Sequence, residues 1–291
     1  MEEIVGEVLK AGKFVGKVRV GDIVGLGPNY NSCQQCESCE AGEEQYCSND
    51  VTETYNTPDR LYTELKPTGP ITQGGYSNII VASENYVIRV PRNAPEELVA
   101  PLLCAGATMW TPLKALGINA SHRVGIAGYG GLGNIGAKLS KAMGAETIVI
   151  TTTEDKLDDS IANGADQALL AWDREVLEKY QETFDLIICT IPFPHDSTPY
   201  VKMLKPHGTI WIVGTLMPMA VDFDLICRKG RIVRGSSTAG IAETQACVDF
   251  CVANNIYPDV EVILPEQLNA TREGILSKRV RYRYVADIRE M

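Results

Sequence analysis

The chain has 291 residues, of which 45% are hydrophobic and 22% charged, and its formal net charge is −10. This composition is ordinary for a globular enzyme, and the length suffices for two domains. The acidic balance argues against a nucleic-acid partner or an anionic membrane surface, because either would require a basic face. No apolar run reaches the length of a membrane span, and the start Met1-Glu2-Glu3 is acidic where a signal peptide would be basic. We therefore expect a cytoplasmic protein.

The first part of the chain, from Ile4 to about Val90, is predicted to form short strands and turns. Alternating apolar and polar residues, with glycines and prolines between them, are typical of an all-β unit. The predicted strands lie at residues 5–8, 21–26, 76–81 and 86–90.

Four cysteines interrupt this β unit with the spacing C-x2-C-x2-C-x7-C, namely Cys33, Cys36, Cys39 and Cys47. Four thiolates can enclose a tetrahedral Zn²⁺ and leave no open position, so the pattern predicts a structural zinc site. Disulfides are an alternative that would require an oxidising compartment. An iron–sulfur cluster is another, although the ferredoxin pattern ends in x3-C-P, which is absent. Accidental surface cysteines are the third alternative.

The pattern of predicted secondary structure changes after residue 93. A helical pattern covers residues 96–117, with a possible break near Pro112, and a buried strand is predicted at 123–127. A glycine-rich turn and a helix ending at Met143 follow. Further strands are predicted at 147–150, 184–189, 209–213 and 231–235. Strands that alternate with helices indicate parallel βαβ units, so we predict an α/β fold with a doubly wound, Rossmann-type parallel sheet.

The glycine-rich turn contains Gly128, Gly130 and Gly133 in a G-x-G-x-x-G pattern. On its own this pattern is weak, but here a buried strand precedes it and a helix follows. The first glycine permits a tight turn, the second admits a pyrophosphate, and the third lets the helix pack on the strand. We predict a dinucleotide site; the alternative is a vestigial loop that keeps the geometry and binds nothing.

The end of the second predicted Rossmann strand bears on the choice of cofactor. NAD sites usually place an acidic residue there to bind the ribose 2′-hydroxyl, whereas this chain has Thr151-Thr152-Thr153 followed by Lys156. Glu154 and Asp155 in the same turn would repel a 2′-phosphate. We predict NADP(H) in preference to NAD(H), with Thr151, Thr152 and Lys156 at the ribose end.

The tail is mixed, with a helix predicted at 243–254 and strands near 261–263 and 281–285. Taken with four strings at residues 72–76, 100–106, 128–133 and 280–284, the whole chain resembles the zinc-containing medium-chain dehydrogenases. It is most similar to their cinnamyl alcohol dehydrogenase branch, which contains NADPH-dependent aldehyde reductases.

This resemblance implies a GroES-like catalytic domain split around the cofactor domain. The corresponding division is an incomplete GroES-like domain at residues 1–93 with the structural zinc loop, a Rossmann domain at 94–236, and a return segment at 237–291. It also implies a homodimer formed through the edge of the Rossmann sheet, near residues 220–233, and a small alcohol, aldehyde or conjugated substrate.

The resemblance also assigns roles to individual residues. Thr108 is expected near the nicotinamide, and Arg281 near the cofactor phosphates. Ser236 and Ser237 are expected at the nicotinamide end. The pyrophosphate is expected to lie against Gly130, Gly131, Leu132 and Gly133.

The sequence departs from the family at the catalytic zinc. The family's opening segment is missing before Met1, and Glu2 stands where a zinc-binding histidine is expected. Of the catalytic site only Cys104 and Glu3 match, and a catalytic zinc needs three protein ligands. His122, His195 and His207 are read as surface or turn histidines. We therefore expect one structural zinc and no well-held catalytic zinc in an N-terminally truncated member.

Two functions remain open at this point. One is an NADP(H)-dependent reductase of activated carbonyls or conjugated double bonds, which depend less on a Lewis acid. The other is a non-catalytic nucleotide-binding or dimerising scaffold. A sequence begun at the wrong methionine is a third explanation for the missing segment.

Overall fold

The computed structural model describes residues 2–59, 70–214, 217–276 and 280–289. The chain forms two compact units. The first unit consists of Met1–Ala107 and Thr238–Met291, and the second unit consists of Thr108–Ser237.

The strands and helices are numbered in chain order. The strands are β1 Ile4–Glu7, β2 Ile23–Leu26, β3 Asn29–Asn31, β4 Thr52–Glu53, β5 Tyr55–Pro58, β6 Ile71–Gln73, β7 Val87–Arg89, β8 Arg123–Ala127, β9 Glu146–Thr151, β10 Gln167–Leu170, β11 Phe184–Cys189, β12 Leu204–Ile212, β13 Ile232–Gly235, β14 Val260–Ile263 and β15 Arg283–Ala286. The helices are α1 Glu37–Glu40, α2 Glu96–Val99, α3 Ala105–Ala115, α4 Gly131–Ala142, α5 Asp155–Ala162, α6 Arg174–Lys179, α7 Thr198–Met203, α8 Phe223–Cys227, α9 Ile241–Ala253 and α10 Leu268–Leu276.

The first unit is built mainly from small antiparallel pairings. Strands β1, β2 and β7 form a sheet in the order β1-β2-β7, while β3 pairs with β4 and β5 with β6. The tail strands β14 and β15 pair in parallel. A small core of Leu26, Tyr30 and Tyr86 lies in this unit. The β character predicted for the start of the chain is confirmed.

The second unit contains a six-stranded sheet in the order β10-β9-β8-β11-β12-β13, and every pairing in it is parallel. Numbered from β8, this is the doubly wound order 3-2-1-4-5-6 of a Rossmann sheet. The central strands are almost wholly buried, as expected where helices cover both faces. The predicted α/β class is therefore confirmed.

Two predicted elements were wrong. Residues 76–81 form no strand; the Ser77 hydroxyl bonds locally to the Ile79 backbone, which competes with a strand ladder. The helical pattern at 96–117 breaks at Cys104 rather than at Pro112. The turn Ala100–Leu103 is a 3₁₀ helix, and Cys104 leaves helical geometry at φ −124°, whereas Pro112 lies inside α3.

The compact units divide the chain differently from the predicted domains at one boundary. Residues 96–103 belong to the first unit because they pack against β1 and β2. The later boundary lies at Ser237, beside the predicted one at 236. The assignment of residues 1–93, 94–236 and 237–291 to catalytic and cofactor domains stays a prediction.

Candidate functional site

The structure brings together all four cysteines of the predicted metal site, Cys33, Cys36, Cys39 and Cys47, hereafter the cysteine centre. Their sulfur atoms all lie within 4.8 Å of one another, and the Sγ atoms of Cys33 and Cys39 are 3.9 Å apart. Tetrahedral zinc with bonds of about 2.3 Å requires sulfur atoms about 3.8 Å apart. The thiols are free, so no disulfide competes for them. The four residues fit a zinc ion in number, chemistry and spacing.

The loop reaches this geometry through local backbone bonds. The short helix α1 follows Cys36, and Gly42 donates its N–H to the carbonyl of Cys39. The N–H of Cys33 donates to Cys47 Sγ at 3.4 Å, which joins the two ends of the loop. These bonds bring the four sulfur atoms together. Because the cysteines are close in sequence, closing the loop costs little conformational entropy.

A buried chain of hydrogen bonds supports the cysteine centre, and the sequence analysis missed it. Tyr86 Oη lies 2.6 Å from Ser32 Oγ, which lies 3.1 Å from Cys39 Sγ. A zinc-bound thiolate accepts hydrogen bonds, so Tyr86 would donate to Ser32 and Ser32 to Cys39. Tyr86 is buried, and the hydroxyl of a buried tyrosine requires a hydrogen-bond partner. That general requirement was the one hint that Tyr86 would bond to a polar group such as Ser32.

The thiols of the cysteine centre have different environments. Burial raises the pKa of Cys39 to about 11. The backbone N–H of Cys39 lowers the pKa of Cys36 to about 5. Zinc binds thiolates only, so its binding supplies the free energy that deprotonates Cys39.

Cys104 and Glu3, the predicted remnants of a catalytic metal site, lie close together in the first unit. The N–H of Ala105 donates to Glu3 Oε1 at 3.3 Å, and Arg283 Nη1 donates to Glu3 Oε2 at 3.3 Å. Desolvation raises the pKa of Glu3, against the opposing effect of the Arg283 charge. The negative charge of Glu2, then burial and the charge of Glu53, raise the pKa of Tyr55, and Cys104 makes the smallest contribution. Both Glu3 oxygens are thus committed to other donors.

These residues do not fit a catalytic zinc. In the part of the chain that the structure describes, the cysteine centre is the only group of three or more metal-ligating side chains with converging ligand atoms. Cys104 belongs to no such group. Cys104 and Glu3 supply two potential ligands, and a catalytic zinc requires three protein ligands.

The predicted glycine loop, residues 128–133, has the geometry of an anion cradle in the second unit. Gly128 has φ +97°, which favours glycine. A Cβ on Gly133 would lie 2.2 Å from the Gly128 carbonyl oxygen, so helix α4 can pack on β8 only with glycine there. By contrast, a Cβ on Gly130 would meet nothing within 4 Å. Gly130 therefore faces open space at the N-terminus of α4, beside Gly131 and Leu132, where a pyrophosphate would bind.

Thr190, at the end of β11, fixes this loop and was also missed. Its hydroxyl donates to the carbonyls of Ala127 at 3.1 Å and Gly128 at 3.0 Å. Strands β8 and β11 are neighbours at the point where the sheet order reverses, so their carboxyl ends meet at this loop. Sequence alone gave no sign that residues 128 and 190 touch.

Three residues predicted near the nicotinamide end lie close together. Thr108 is buried and donates its hydroxyl to the Ser237 carbonyl at 3.0 Å. Ser236 Oγ accepts from Trp211 Nε1 at 2.9 Å. Arg281, the predicted phosphate ligand, lies in the first unit beside Tyr282. Their roles toward a cofactor stay predictions.

The predicted ribose end lies at the end of β9. Thr151 is buried, Thr152 is exposed, and Lys156 lies in the first turn of α5. Asp155 shares that turn, so the structure retains both the cation that would attract a 2′-phosphate and the carboxylate that would repel it. The preference for NADP(H) is not decided by this geometry.

His195 proved to be more than a surface histidine. Its Nδ1 donates to the Phe193 carbonyl at 2.9 Å, so Nε2 is left to accept from the buried Cys189 thiol at 3.3 Å. Its ring packs edge-on against Tyr200. The pair secures the loop that follows β11.

In the ranges that the structure describes, no helix combines the length and apolar character needed to cross a bilayer.

Two family models match the chain. The model described as an alcohol dehydrogenase GroES-like domain matches residues 2–92, and the model described as a zinc-binding dehydrogenase matches residues 131–253. The first match contains the cysteine centre, and the second begins inside the glycine loop.

Named relatives and a solved structure cover almost the whole chain. NADP-dependent alcohol dehydrogenase C of Mycobacterium tuberculosis is 40% identical over 287 residues, which are 98% of this chain and 81% of that protein. Aldehyde reductase YahK of Escherichia coli is 40% identical over 294 residues, 99% of this chain and 82% of that protein. The structure of the cinnamyl alcohol dehydrogenase SbCAD4 from Sorghum bicolor superposes with a TM-score of 0.94 at 35% identity, covering 98% of this chain and 80% of that one.

Proposed function

The chain belongs to the zinc-binding alcohol dehydrogenase family, whose members are oxidoreductases, and from that premise we propose that it is an NADP(H)-dependent alcohol dehydrogenase or aldehyde reductase. The observation that carries the proposal is the glycine loop. In this loop Gly128 has a positive φ, and helix α4 packs so closely on β8 that only glycine fits at position 133. The space over Gly130 is open.

The alternative of a non-catalytic scaffold is not favoured. A vestigial loop would have no need to keep the space over Gly130 open, whereas a cofactor-binding loop must. The relatives that match nearly all of the chain carry the names of enzymes.

Several residues are proposed to bind the cofactor. The N–H groups of Gly131, Leu132 and Gly133 at the start of α4 would bind the pyrophosphate. Thr151, Thr152 and Lys156 would bind the ribose end. NADP(H) is proposed over NAD(H) because Lys156 supplies a cation and because the mycobacterial relative is named NADP-dependent.

The reacting end is proposed to lie near Thr108, Ser236 and Ser237. When bound, the nicotinamide donates or accepts a hydride. Thr108 would hold the Ser236–Ser237 backbone through its bond to the Ser237 carbonyl, and Trp211 would orient the Ser236 hydroxyl. These contacts position the cofactor and do not transfer a proton.

The metal assignments differ between the two predicted sites. The cysteine centre is proposed to bind one structural zinc, which would stabilise its loop. Cys104 and Glu3 are proposed as remnants that do not complete a catalytic zinc site. Substrates that are already electron-poor, such as activated carbonyls or conjugated double bonds, are therefore proposed over simple aldehydes.

A homodimer is proposed through the edge of the six-stranded sheet. Strand β13 lies last in the sheet order, and all of its residues are exposed. Ile232 and Val233 of this strand, and Phe223 of α8, are exposed apolar residues. An uncovered edge of this kind invites pairing with a second copy, and two-fold dimers are the commonest oligomers.

The proposed activity is tested by mixing the protein with NADPH and cinnamaldehyde-like substrates and following the loss of NADPH absorbance. We expect turnover by the wild-type chain and at least tenfold weaker NADPH binding by Gly130→Asp, which puts a carboxylate into the phosphate space. Gly130→Ala is the matched control for added volume, and its Cβ meets no atom within 4 Å. Turnover equal to that of Gly130→Asp would refute the proposal.

A further inference from the structure

A cleft in the first unit borders the cysteine centre at Cys39 and contains no residue of the glycine loop. Its volume is about 450 Å³, which lies within the range of small-molecule sites. Its lining is about half polar and contains two cationic side chains, so we call it the cationic cleft. The lining residues are Lys17, Gln34, Cys39, Glu44, Asn85, Tyr86, Arg89, Ile241, Ala242 and Gln245.

The two cations of the cleft, Lys17 and Arg89, lack direct acidic partners. Within the described parts of the chain, neither head group forms a salt bridge at 4.0 Å or less. Desolvation, and then the charge of Arg89, lower the pKa of Lys17. Two cations that repel each other in a chain of net charge −10 form an arrangement that an anion would relieve.

Two carboxylates that act electrostatically on Lys17, those of Glu44 and Glu84, accept hydrogen bonds from backbone N–H groups. Glu44 lines the cleft, and its Oε2 accepts from the N–H of Ile241 at 2.9 Å. Glu84 Oε2 accepts from the N–H groups of Gly16 at 2.8 Å and Lys17 at 2.6 Å. Both carboxylates raise the pKa of Lys17 only as smaller effects than Arg89.

The surroundings of the cations are held in place. Gln245 clamps the Arg89 backbone, because its Oε1 accepts from the Arg89 N–H at 2.8 Å and its Nε2 donates to the Arg89 carbonyl at 3.0 Å. Gln34 Oε1 accepts from Asn85 Nδ2 at 2.6 Å, which leaves the Gln34 amide N–H groups available as donors. The cleft therefore offers a guanidinium, an ammonium and an amide as donors, beside the Glu44 carboxylate.

We propose that the cationic cleft binds a small phosphate monoester, with Lys17 and Arg89 on the phosphate and the neutral lining against its organic part. Arginine and lysine together are suited to a dianionic phosphate. A cleft of about 450 Å³ has room for more than a phosphate ion, so its neutral lining can contact the organic part of an ester. This site is separate from the proposed dinucleotide site, whose glycine loop lies in the second unit.

Calorimetric titration of the whole chain with glycerol 3-phosphate, inorganic phosphate and glycerol tests the proposal. We expect glycerol 3-phosphate to bind more tightly than phosphate, and glycerol not to bind. In the variant Lys17→Gln/Arg89→Gln the ester should bind at least tenfold more weakly. Lys13→Gln/Arg92→Gln removes the same charge outside the cleft lining and should bind like wild type.

Asn85→Asp provides a second variant on an exposed residue, in case the double variant does not fold. It places a negative charge in the lining and should weaken ester binding by a similar factor. Equal binding by wild type and by both cleft variants would place the ester elsewhere, such as at the glycine loop, and would overturn the proposal. No binding by wild type, or phosphate binding as tight as that of the ester, would also overturn it.

Discussion

The cysteine centre and the Cys104 region lie in the same unit, and the sequence pointed to metal chemistry at both. At the cysteine centre four ligand atoms converge within 4.8 Å. At Cys104 the nearest matched residue is Glu3, and its two oxygens are bonded to Ala105 and Arg283. The cysteine centre thus has all four ligands of a zinc site. In the Cys104 region, by contrast, Glu3 is bonded to Ala105 and Arg283.

The difference follows from how each site is assembled. The cysteine centre draws its ligands from one loop, so its completeness can be counted in the sequence. The Cys104 region joins residues 3, 104 and 283, which are distant in the chain, so its arrangement depends on the placement of three different segments. A site of this kind depends on several segments at once, whereas a local loop retains or loses its site as a whole.

Replacing a cysteine at each site gives the largest expected contrast. Cys47→Ser should lose about one zinc per chain and several kcal/mol of stability, because the binding free energy of a structural zinc is folding free energy. Cys104→Ser should keep the zinc of the cysteine centre and change the free energy of unfolding by about 1 kcal/mol or less. Elemental analysis and denaturant unfolding measure both effects.

The exposed Cys227 supplies a control, since Cys227→Ser removes a thiol without touching either site. A zinc content that falls equally in the Cys47 and Cys104 variants would mean that both regions bind metal, and the contrast between them would be lost.

The sequence predicted local features better than distant contacts. The spacing of Cys33 to Cys47 and the strand, glycine and helix order around Gly128 each lie within a short segment, and the structure has both. The Ser32–Tyr86 bond and the Thr190 bonds to Ala127 and Gly128 join residues from distant segments. A periodic pattern contains no information about such partners.

Two errors in predicted elements have a related cause. Alternating residues at 76–81 indicated a strand, but a strand also requires a neighbour with which to pair, and local bonding at Ser77 prevailed. The helix break was predicted at Pro112 instead of Cys104, because proline is the residue type that most strongly breaks helices. The tight turn Ala100–Leu103 determined the break instead.

The hydrogen-bond chain behind Cys39 permits a smaller test of the cysteine centre. Ser32→Ala should cost about 1–3 kcal/mol, because it leaves the buried Tyr86 hydroxyl without its partner and removes a donor from Cys39. Adding Tyr86→Phe should recover part of that loss, since an absent hydroxyl needs no partner. Ser38→Ala, in the same loop, is the matched control, and thermal unfolding of Ser32→Ala, Tyr86→Phe, their double variant and Ser38→Ala with zinc present supplies the comparison. Strictly additive losses would show that the two hydroxyls are not coupled.

Glu3→Gln tests the Cys104 region through pH, with the smallest expected effect. Burial raises the pKa of Glu3 above its usual value of 4.5, so the folded state holds the proton more tightly than the unfolded state. The stability that Glu3 contributes is therefore complete below pH 4.5 and declines as pH rises through the raised folded pKa. Glutamine does not titrate, so the unfolding free energy of Glu3→Gln should rise relative to wild type over that range.

Arg283→Gln removes the charge that lowers the Glu3 pKa and should steepen the decline of stability with pH. Unfolding by urea at several pH values measures all three chains; a difference between Glu3→Gln and wild type that stays flat or falls with pH would mean that Glu3 is ionised as readily in the folded chain as in the unfolded one.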